Sequence, residues 1–179
     1  MDEKKFFLDR ANRKSPKKLR KVTTQGVVQI TAATAPWKRG NAYAHTRTGF
    51  RPDLKLSVRS NWEANFLRIL TSYDIPFEFE PCVFTYPIKR GNKAYTPDIL
   101  LPASSEWIEL KGYFDKNSQI KIRRFKKYYP QEFANLTMVI SKSSRIAREF
   151  CELIEVPRVL HYEELSKQFK DKITNWEGR

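Results

Sequence analysis

Two apolar, strand-like runs joined by a short polar turn constrain the fold of this chain more than any other feature. The runs are AYTPDILLP, which begins at Ala94, and WIELKG, which ends at Gly112, and the turn between them is ASSE. Runs of this composition on either side of a turn predict two neighbouring β-strands. Pro97 has a fixed φ and disfavours helical geometry at Thr96, so the chain should enter the first strand through a defined bend.

Three charged residues interrupt these otherwise apolar strands. Asp98 stands at the head of the first strand, and Glu109 and Lys111 stand in the second. Because side chains alternate along a strand, Glu109 and Lys111 should share one face while Ile108 and Leu110 share the other. If the strands pair as a hairpin, Asp98 lies beside Glu109. Two carboxylates at one strand edge predict a Mg²⁺ site, which the Leu110 main-chain carbonyl would complete, and Mn²⁺ is expected to substitute.

This arrangement suits the hydrolysis of a phosphodiester. A metal polarises the phosphoryl oxygen and activates a bound water, and Lys111 would orient that water, help to deprotonate it or stabilise charge on the phosphate. The alternative is ordinary surface patterning, since Asp after Pro is common in turns and alternating Glu and Lys are common on half-exposed strands. Gly112 directly after the strand and seven basic residues against one acidic residue over positions 111–127 favour the catalytic interpretation.

Glu63 has two competing interpretations. The run SNWEANFLRILTSY has helical spacing of its apolar residues, with Ser60 placed as the N-cap. Glu63 fits the capping box, in which it would bind the amide of the cap. It also fits an auxiliary acid that joins the metal site from the helix before the first strand.

The net charge indicates a polyanionic partner. The chain has 34 Lys and Arg against 20 Asp and Glu, a formal charge of +14, and residues 1–60 carry 15 of the basic and 4 of the acidic residues. Lys or Arg placed on phosphates releases counterions, so this excess favours binding to nucleic acid. Charge alone fits a non-catalytic basic protein equally well. The predicted DNA contacts are Lys17, Lys18, Arg20, Arg59, Lys116, Lys121, Arg123, Arg124, Lys127, Lys142 and Arg145.

Several of these cations lie in recognisable settings. Those from Lys116 to Lys127 follow the second strand on a predicted helix, and Lys142 and Arg145 flank the start of another helix, where a phosphate would suit the N-terminus. A solvated helix face and simple serine caps are the alternatives. In the N-terminal part, Trp37, Tyr43 and Phe50 would stack on unpaired bases or anchor the arm by packing.

The order of predicted elements indicates an α/β fold. From Ser60 the pattern reads helix, three strands, helix and strand, followed by a helix–strand–helix tail, which predicts a mixed sheet with flanking helices. Residues 1–59 are predicted to be a basic, partly flexible DNA-binding arm and residues 60–179 a nuclease domain. Cys82 and Cys151 give no disulfide framework, and no run is long enough to span a bilayer, so the expected setting is the cytoplasm.

The segments AYTPDILLP, WIELKGYF, IRRFKKYYP and VISKSSR together resemble the bacteriophage endonuclease I family of Holliday junction resolving enzymes, within the PD-(D/E)xK nuclease superfamily. The resemblance covers roughly residues 60–146. It implies a restriction-endonuclease-like core of αβββαβ order, Mg²⁺ dependence, cleavage of the DNA backbone and the cytoplasm of a bacterial host. It further implies that Asp98 and Glu109 bind the metal, Lys111 is the catalytic lysine and Glu63 is an auxiliary acid.

Three functions therefore compete. The first is a metal-dependent DNA endonuclease, selective for branched DNA and acting as a homodimer, because paired cuts need two active sites. The second is a nicking or transposition endonuclease subunit directed by a protein partner or a sequence, since a similar core occurs in Tn7-like transposons. The third is a non-catalytic nucleic-acid-binding protein whose acidic cluster is structural.

Overall fold

The computed structural model describes residues 48–178, together with the backbone of one short strand at Val27–Gln29. The strands are β1 (Val27–Gln29), β2 (Gly49–Arg51), β3 (Leu56–Val58), β4 (Glu78–Phe79), β5 (Cys82–Pro87), β6 (Asn92–Tyr95), β7 (Ile99–Leu101), β8 (Glu106–Lys111), β9 (Leu136–Ile140) and β10 (Arg158–His161). The helices are α1 (Asn61–Ser72), α2 (Lys116–Tyr128), α3 (Pro130–Phe133), α4 (Arg145–Leu153) and α5 (Tyr162–Phe169), and a single 3-10 turn follows at Lys170–Lys172.

A mixed five-stranded sheet forms the centre of the molecule. Its strand order is β10-β9-β8-β7-β4: β10, β9 and β8 run parallel to one another, β7 pairs antiparallel with β8, and β4 pairs antiparallel with β7. The parallel pair β8–β9 is joined through α2 and α3, as a parallel connection requires a crossover. The predicted mixed sheet with flanking helices is therefore confirmed.

Helices cover both faces of this sheet. On one face α1 and α5 pack through buried residues such as Phe66, Leu70 and Phe169, which belong to one hydrophobic cluster with Ile108 of β8. On the other face α2, α3 and α4 pack together with a second, three-stranded sheet of order β1-β5-β6. All five residues of β9 are buried, which is typical of a strand covered on both faces.

The order of helices and strands along the chain differs from the predicted αβββαβ order. Five strands, not three, lie between α1 and α2. The first of the three strands expected after the helix at Ser60 is the run FEFEPCVFTY, and it divides into β4 and β5 in different sheets, because Pro81 has no N–H to donate and Glu80 adopts a φ of 47°. AYTPDILLP likewise divides at Pro97 into β6 and β7.

The beginning of the chain is described only in part. The short strand β1, which lies within the predicted arm, pairs antiparallel with β5. The predicted contacts Lys17, Lys18 and Arg20 and the aromatics Trp37 and Tyr43 lie outside the described residues. Val58 of the β2–β3 hairpin is buried against α1, so this hairpin packs with the residues assigned above to the nuclease domain. None of the helices within residues 48–178 is long and apolar enough to cross a membrane.

Candidate active site at the edge of the central sheet

The two carboxylates predicted to meet do lie side by side. Strands β7 and β8 pair antiparallel with Ile99 opposite Ile108, so Asp98 and Glu109 occupy the next position of the same register. The Leu110 N–H donates a hydrogen bond to Asp98 Oδ2 at 2.7 Å. Asp98 is 6% exposed and Glu109 is 1% exposed. Two buried acids at one sheet edge are costly unless a cation compensates their charge.

Lys111 supplies part of that compensation. Its Nζ lies 2.5 Å from Glu109 Oε1, which agrees with the predicted common face of the two residues. Burial favours the neutral amine, but the Glu109 and Asp98 carboxylates outweigh it and hold the pKa of Lys111 above its ordinary value. The residue is therefore a charged ammonium within the acidic cluster.

Glu109 is the most enclosed member of the site. Burial and then the charge of Asp98 raise the pKa of Glu109 to about 7, while Lys111 and a hydrogen bond from Tyr95 act in the opposite direction. The Tyr95 hydroxyl donates to Glu109 Oε2 at 2.8 Å. The sequence reasoning missed Tyr95, although it lies within the AYTPDILLP run. Tyr95 ends β6, two residues before Pro97, and no local spacing in the sequence indicates that its hydroxyl reaches Glu109.

Glu63 makes hydrogen bonds with the cap residue Ser60 and also lies close enough to Asp98 to be influenced by its charge. Its N–H donates to Ser60 Oγ at 3.2 Å, and its carboxylate accepts from the Ser60 hydroxyl and from the Arg59 N–H, each at 2.9 Å. The amide it binds thus belongs to the residue before the cap. Burial and the nearby Asp98 charge also raise the pKa of Glu63 to about 7. Glu63 is therefore a cap residue of α1 within electrostatic reach of the site.

Glu80 is a further acid that the sequence reasoning missed. Its N–H donates to the Asp98 carbonyl oxygen at 2.8 Å, and its carboxylate lies 2.5 Å from the Arg59 guanidinium. Burial raises the pKa of Glu80 against the opposing charge of Arg59. Nothing in the run FEFEP distinguishes Glu80 from Glu78, because its position depends on the backbone turn between β4 and β5. The predicted DNA contact Arg59 is thus engaged with Glu80.

The donor set determines which metal these residues would fit. Among residues 48–178 no group of three or more His, Cys, Asp and Glu side chains has the arrangement of a metal site. Mg²⁺ does not require such a group, since it is commonly held by one or two carboxylates while it keeps several waters. Within residues 48–178, Lys111 is the only cation that forms a salt bridge with either acid, and the adjacent buried oxygens of Asp98 and Glu109 fit a hard divalent cation.

The predicted cations near α4 are already paired. Lys142 Nζ lies 2.9 Å from Glu164, and Arg145 Nε lies 2.6 Å from Glu149. The turn before α4 also binds a carboxylate of the protein itself: Glu163 accepts hydrogen bonds from the Lys142 N–H at 2.8 Å and from the Ser141 hydroxyl. Glu163 therefore binds the turn just ahead of the helix start that was suggested for a phosphate. Ser144 is the N-cap of α4.

The cations of α2 divide between two sides of that helix. Arg124 lies over the Tyr86 ring of β5, whereas Arg123 lies over Phe150 of α4. Lys116, Lys121 and Lys127 are exposed. The structure therefore places five predicted DNA contacts on one helix, but only part of this set faces the β5–β6 hairpin.

The region that contains this site matches known proteins. The family model for phage endonuclease I matches residues 48–151, which include α1, the whole acidic cluster and α2. Endonuclease I of Escherichia phage T7 is 31% identical over 102 residues, which cover 54% of this chain and 68% of that protein. No solved structure matches the chain significantly. The matched region spans more than half of the sequence and contains every residue of the cluster, and the chain accordingly belongs to the phage endonuclease I family.

Proposed function

We propose that this protein is a metal-dependent DNA endonuclease that hydrolyses phosphodiester bonds at the edge of the central sheet. The observation that carries the proposal is the adjacency of buried Asp98 and Glu109 with Lys111 Nζ 2.5 Å from Glu109. Membership of the phage endonuclease I family supports the same activity. If the ion pair of Lys111 and Glu109 were only structural, it would not require a second buried acid, Asp98, beside it.

Each residue has a distinct role in this proposal. Asp98 and Glu109 hold the metal, with the Leu110 carbonyl and Glu63 as further oxygen ligands. Held by these residues, Mg²⁺ or Mn²⁺ would supply Lewis-acid polarisation of a phosphoryl oxygen and would lower the pKa of a bound water. Lys111 brings positive charge to the phosphate and orients the attacking water. Tyr95 fixes the Glu109 carboxylate through its hydroxyl, as outer hydrogen-bond partners do for metal ligands.

The substrate within this class is a finer proposal. The family resemblance favours branched DNA, such as a Holliday junction, over continuous duplex. Cutting both strands of such a junction requires two active sites, so the protein should act as a homodimer. Sedimentation of the protein with and without a four-way junction measures that state directly. A single copy on the junction would contradict the proposed dimer.

The proposed activity is tested with labelled four-way junction, linear duplex and single-stranded DNA, each incubated with Mg²⁺ or with EDTA. We expect cleavage in Mg²⁺ alone and a faster rate on the junction. Asp98→Asn should remove cleavage, because it removes one metal-binding charge, while the exposed Glu149→Gln serves as a matched control. Cleavage that persists in EDTA would contradict the metal-dependent function, and binding without cleavage of any substrate would favour a partner-dependent or non-catalytic protein.

A further inference from the structure

A basic groove lies between the β5–β6 hairpin and helix α2, outside the acidic cluster. It encloses about 750 Å³ and is open along one side. Its walls include Tyr86, Lys89, Arg90, Lys93, Lys121 and Arg124. We call this feature the hairpin groove. Three of its cations, Lys89, Arg90 and Lys93, were absent from the DNA contacts predicted from the sequence.

The charge of the hairpin groove is not neutralised. No Asp or Glu lines it, and within residues 48–178 none of its five cations forms a salt bridge. Near α4, by comparison, Lys142 pairs with Glu164 and Arg145 with Glu149. Like charges held close together repel one another, so an unpaired row of this kind is best explained by an anionic partner.

The wall formed by α2 is ordered for binding. Lys121 and Arg124 are three residues apart and therefore share one face of the helix. The Arg124 guanidinium lies 5.1 Å from the centre of the Tyr86 ring and donates to the Pro87 carbonyl at 3.4 Å. These contacts hold Arg124 against the hairpin and reduce the side-chain entropy that binding would cost.

Strand β6 contributes both to the groove, through Lys93, and to the acidic cluster, through Tyr95. Lys93 and Tyr95 are two residues apart on β6, so their side chains point to the same face and their Cα atoms are about 7 Å apart. Tyr95 is the residue whose hydroxyl binds Glu109. The four residues of β6 extend for about 13 Å, which equals roughly four base-pair steps of duplex DNA.

We propose that the hairpin groove binds the phosphodiester backbone of a DNA duplex and guides it to the acidic cluster. This inference rests on the proposed endonuclease function and adds a second contact surface to it. The cations on both walls suit a backbone, whereas single strands usually bind by stacking bases on exposed aromatic rings. The groove offers little such surface, because Tyr86, the one aromatic residue in its walls, is buried.

The test measures binding without cleavage. A fluorescent 20-base-pair duplex is titrated in EDTA at several salt concentrations with the wild type, with Lys89→Ala/Lys93→Ala and with a matched control, Lys167→Ala/Lys170→Ala. All four lysines are exposed, and the control pair lies on α5 and just beyond it. The slope of log K against log salt is negative, and each lost phosphate contact reduces its magnitude by about 1. The magnitude for the groove variant should therefore be smaller than the wild-type value by about 2. The control should keep the wild-type slope.

Three results would overturn the inference: an unchanged slope in the groove variant, an equal loss in the control, or a loss seen with single-stranded DNA alone. Because the titration is done in EDTA, the slope is independent of catalysis. The inference can therefore fail while the wild type still cuts DNA in Mg²⁺, and cleavage can be absent while the groove still binds the duplex. Thermal unfolding of each variant confirms that the compared proteins are equally folded.

Discussion

Single residues of the acidic cluster hold their positions at an energetic cost. Glu63 and Glu109 are both buried and both near Asp98, and for each of them burial and that charge raise the pKa to about 7. A site that accumulates negative charge in this way is poised to bind a cation. Functional sites commonly combine perturbed acids with reduced stability, because the arrangement serves the ligand and not the empty fold.

This cost predicts a pH dependence of stability for the metal-free protein. A carboxyl group whose pKa rises from about 4.5 to about 7 on folding contributes its full stability below pH 4.5 and loses it as the pH rises through 7. In EDTA, the free energy of unfolding should thus fall by on the order of 2 kcal/mol between pH 5 and pH 8 through these groups. Urea unfolding at both pH values measures the change.

Glu109→Gln isolates the contribution of the site from other titrating groups. The variant should show a smaller fall in stability between pH 5 and pH 8 than the wild type does. Glu149→Gln, on the exposed face of α4, should behave like the wild type. An identical fall in the Glu109 variant and the wild type would refute the electrostatic account of the cluster.

The hydroxyl of Tyr95 is a second test at this scale. Tyr95→Phe removes only the group that donates to Glu109 Oε2 at 2.8 Å. Losing an outer partner of a metal ligand typically costs about 10- to 100-fold in metal affinity or activity. We expect the rate to fall by that factor at limiting Mg²⁺ and to recover partly at high Mg²⁺. A wild-type dependence on Mg²⁺ would show that the hydroxyl does not position Glu109.

Among the secondary-structure elements, α1 connects the site to the end of the chain. Its buried Asn65 donates to the Glu177 carbonyl at 2.7 Å and accepts from the Glu177 N–H at 2.9 Å. The Glu177 carboxylate lies 2.5 Å from Arg51 and 2.9 Å from Arg68. These contacts fasten the C-terminal segment across the helix that carries Glu63.

This connection predicts that residues beyond the family match support the active-site helix. Asn65→Ala would remove the side-chain hydrogen bonds to the Glu177 N–H and carbonyl and to the Tyr162 hydroxyl. We expect a loss of about 2–4 kcal/mol in unfolding free energy. The exposed Asn135→Ala should cost less than about 0.5 kcal/mol. Equal denaturation midpoints for the two variants would contradict a structural role for the segment.

The elements differ in how far the sequence could predict them. The helix from Asn61 and the paired strands around Asp98 and Glu109 follow from local pattern, because apolar spacing and a short turn determine them. The division of FEFEPCVFTY between two sheets does not, since it depends on the backbone at Glu80 and on pairing with distant strands.

The candidate site was predictable to a similar extent. Asp98, Glu109 and Lys111 lie on neighbouring strands, so strand period was enough to bring them together. Glu80 and Tyr95 reach the cluster from the turn before β5 and from the second sheet, and no local spacing encodes those approaches. The pairing of Lys142 and Arg145 likewise depends on where α5 and α4 place their acids.

For the whole molecule, the distribution of charge matters more than its total. The formal charge of +14 predicts a polyanionic partner but not where it binds. The structure neutralises several cations internally and leaves those of the hairpin groove unpaired beside the site. This division predicts that binding of DNA and cleavage of DNA depend on different residues.

Lys111→Ala tests that division and the central claim most directly. The variant is compared with the wild type for binding of a labelled four-way junction in EDTA and for its cleavage in Mg²⁺. We expect binding within a few-fold of wild type, since the groove cations remain, and a cleavage rate lower by about 10²–10³-fold, the usual cost of removing one group that stabilises the transition state. A Lys111→Ala protein that cuts the junction at the wild-type rate would contradict the account.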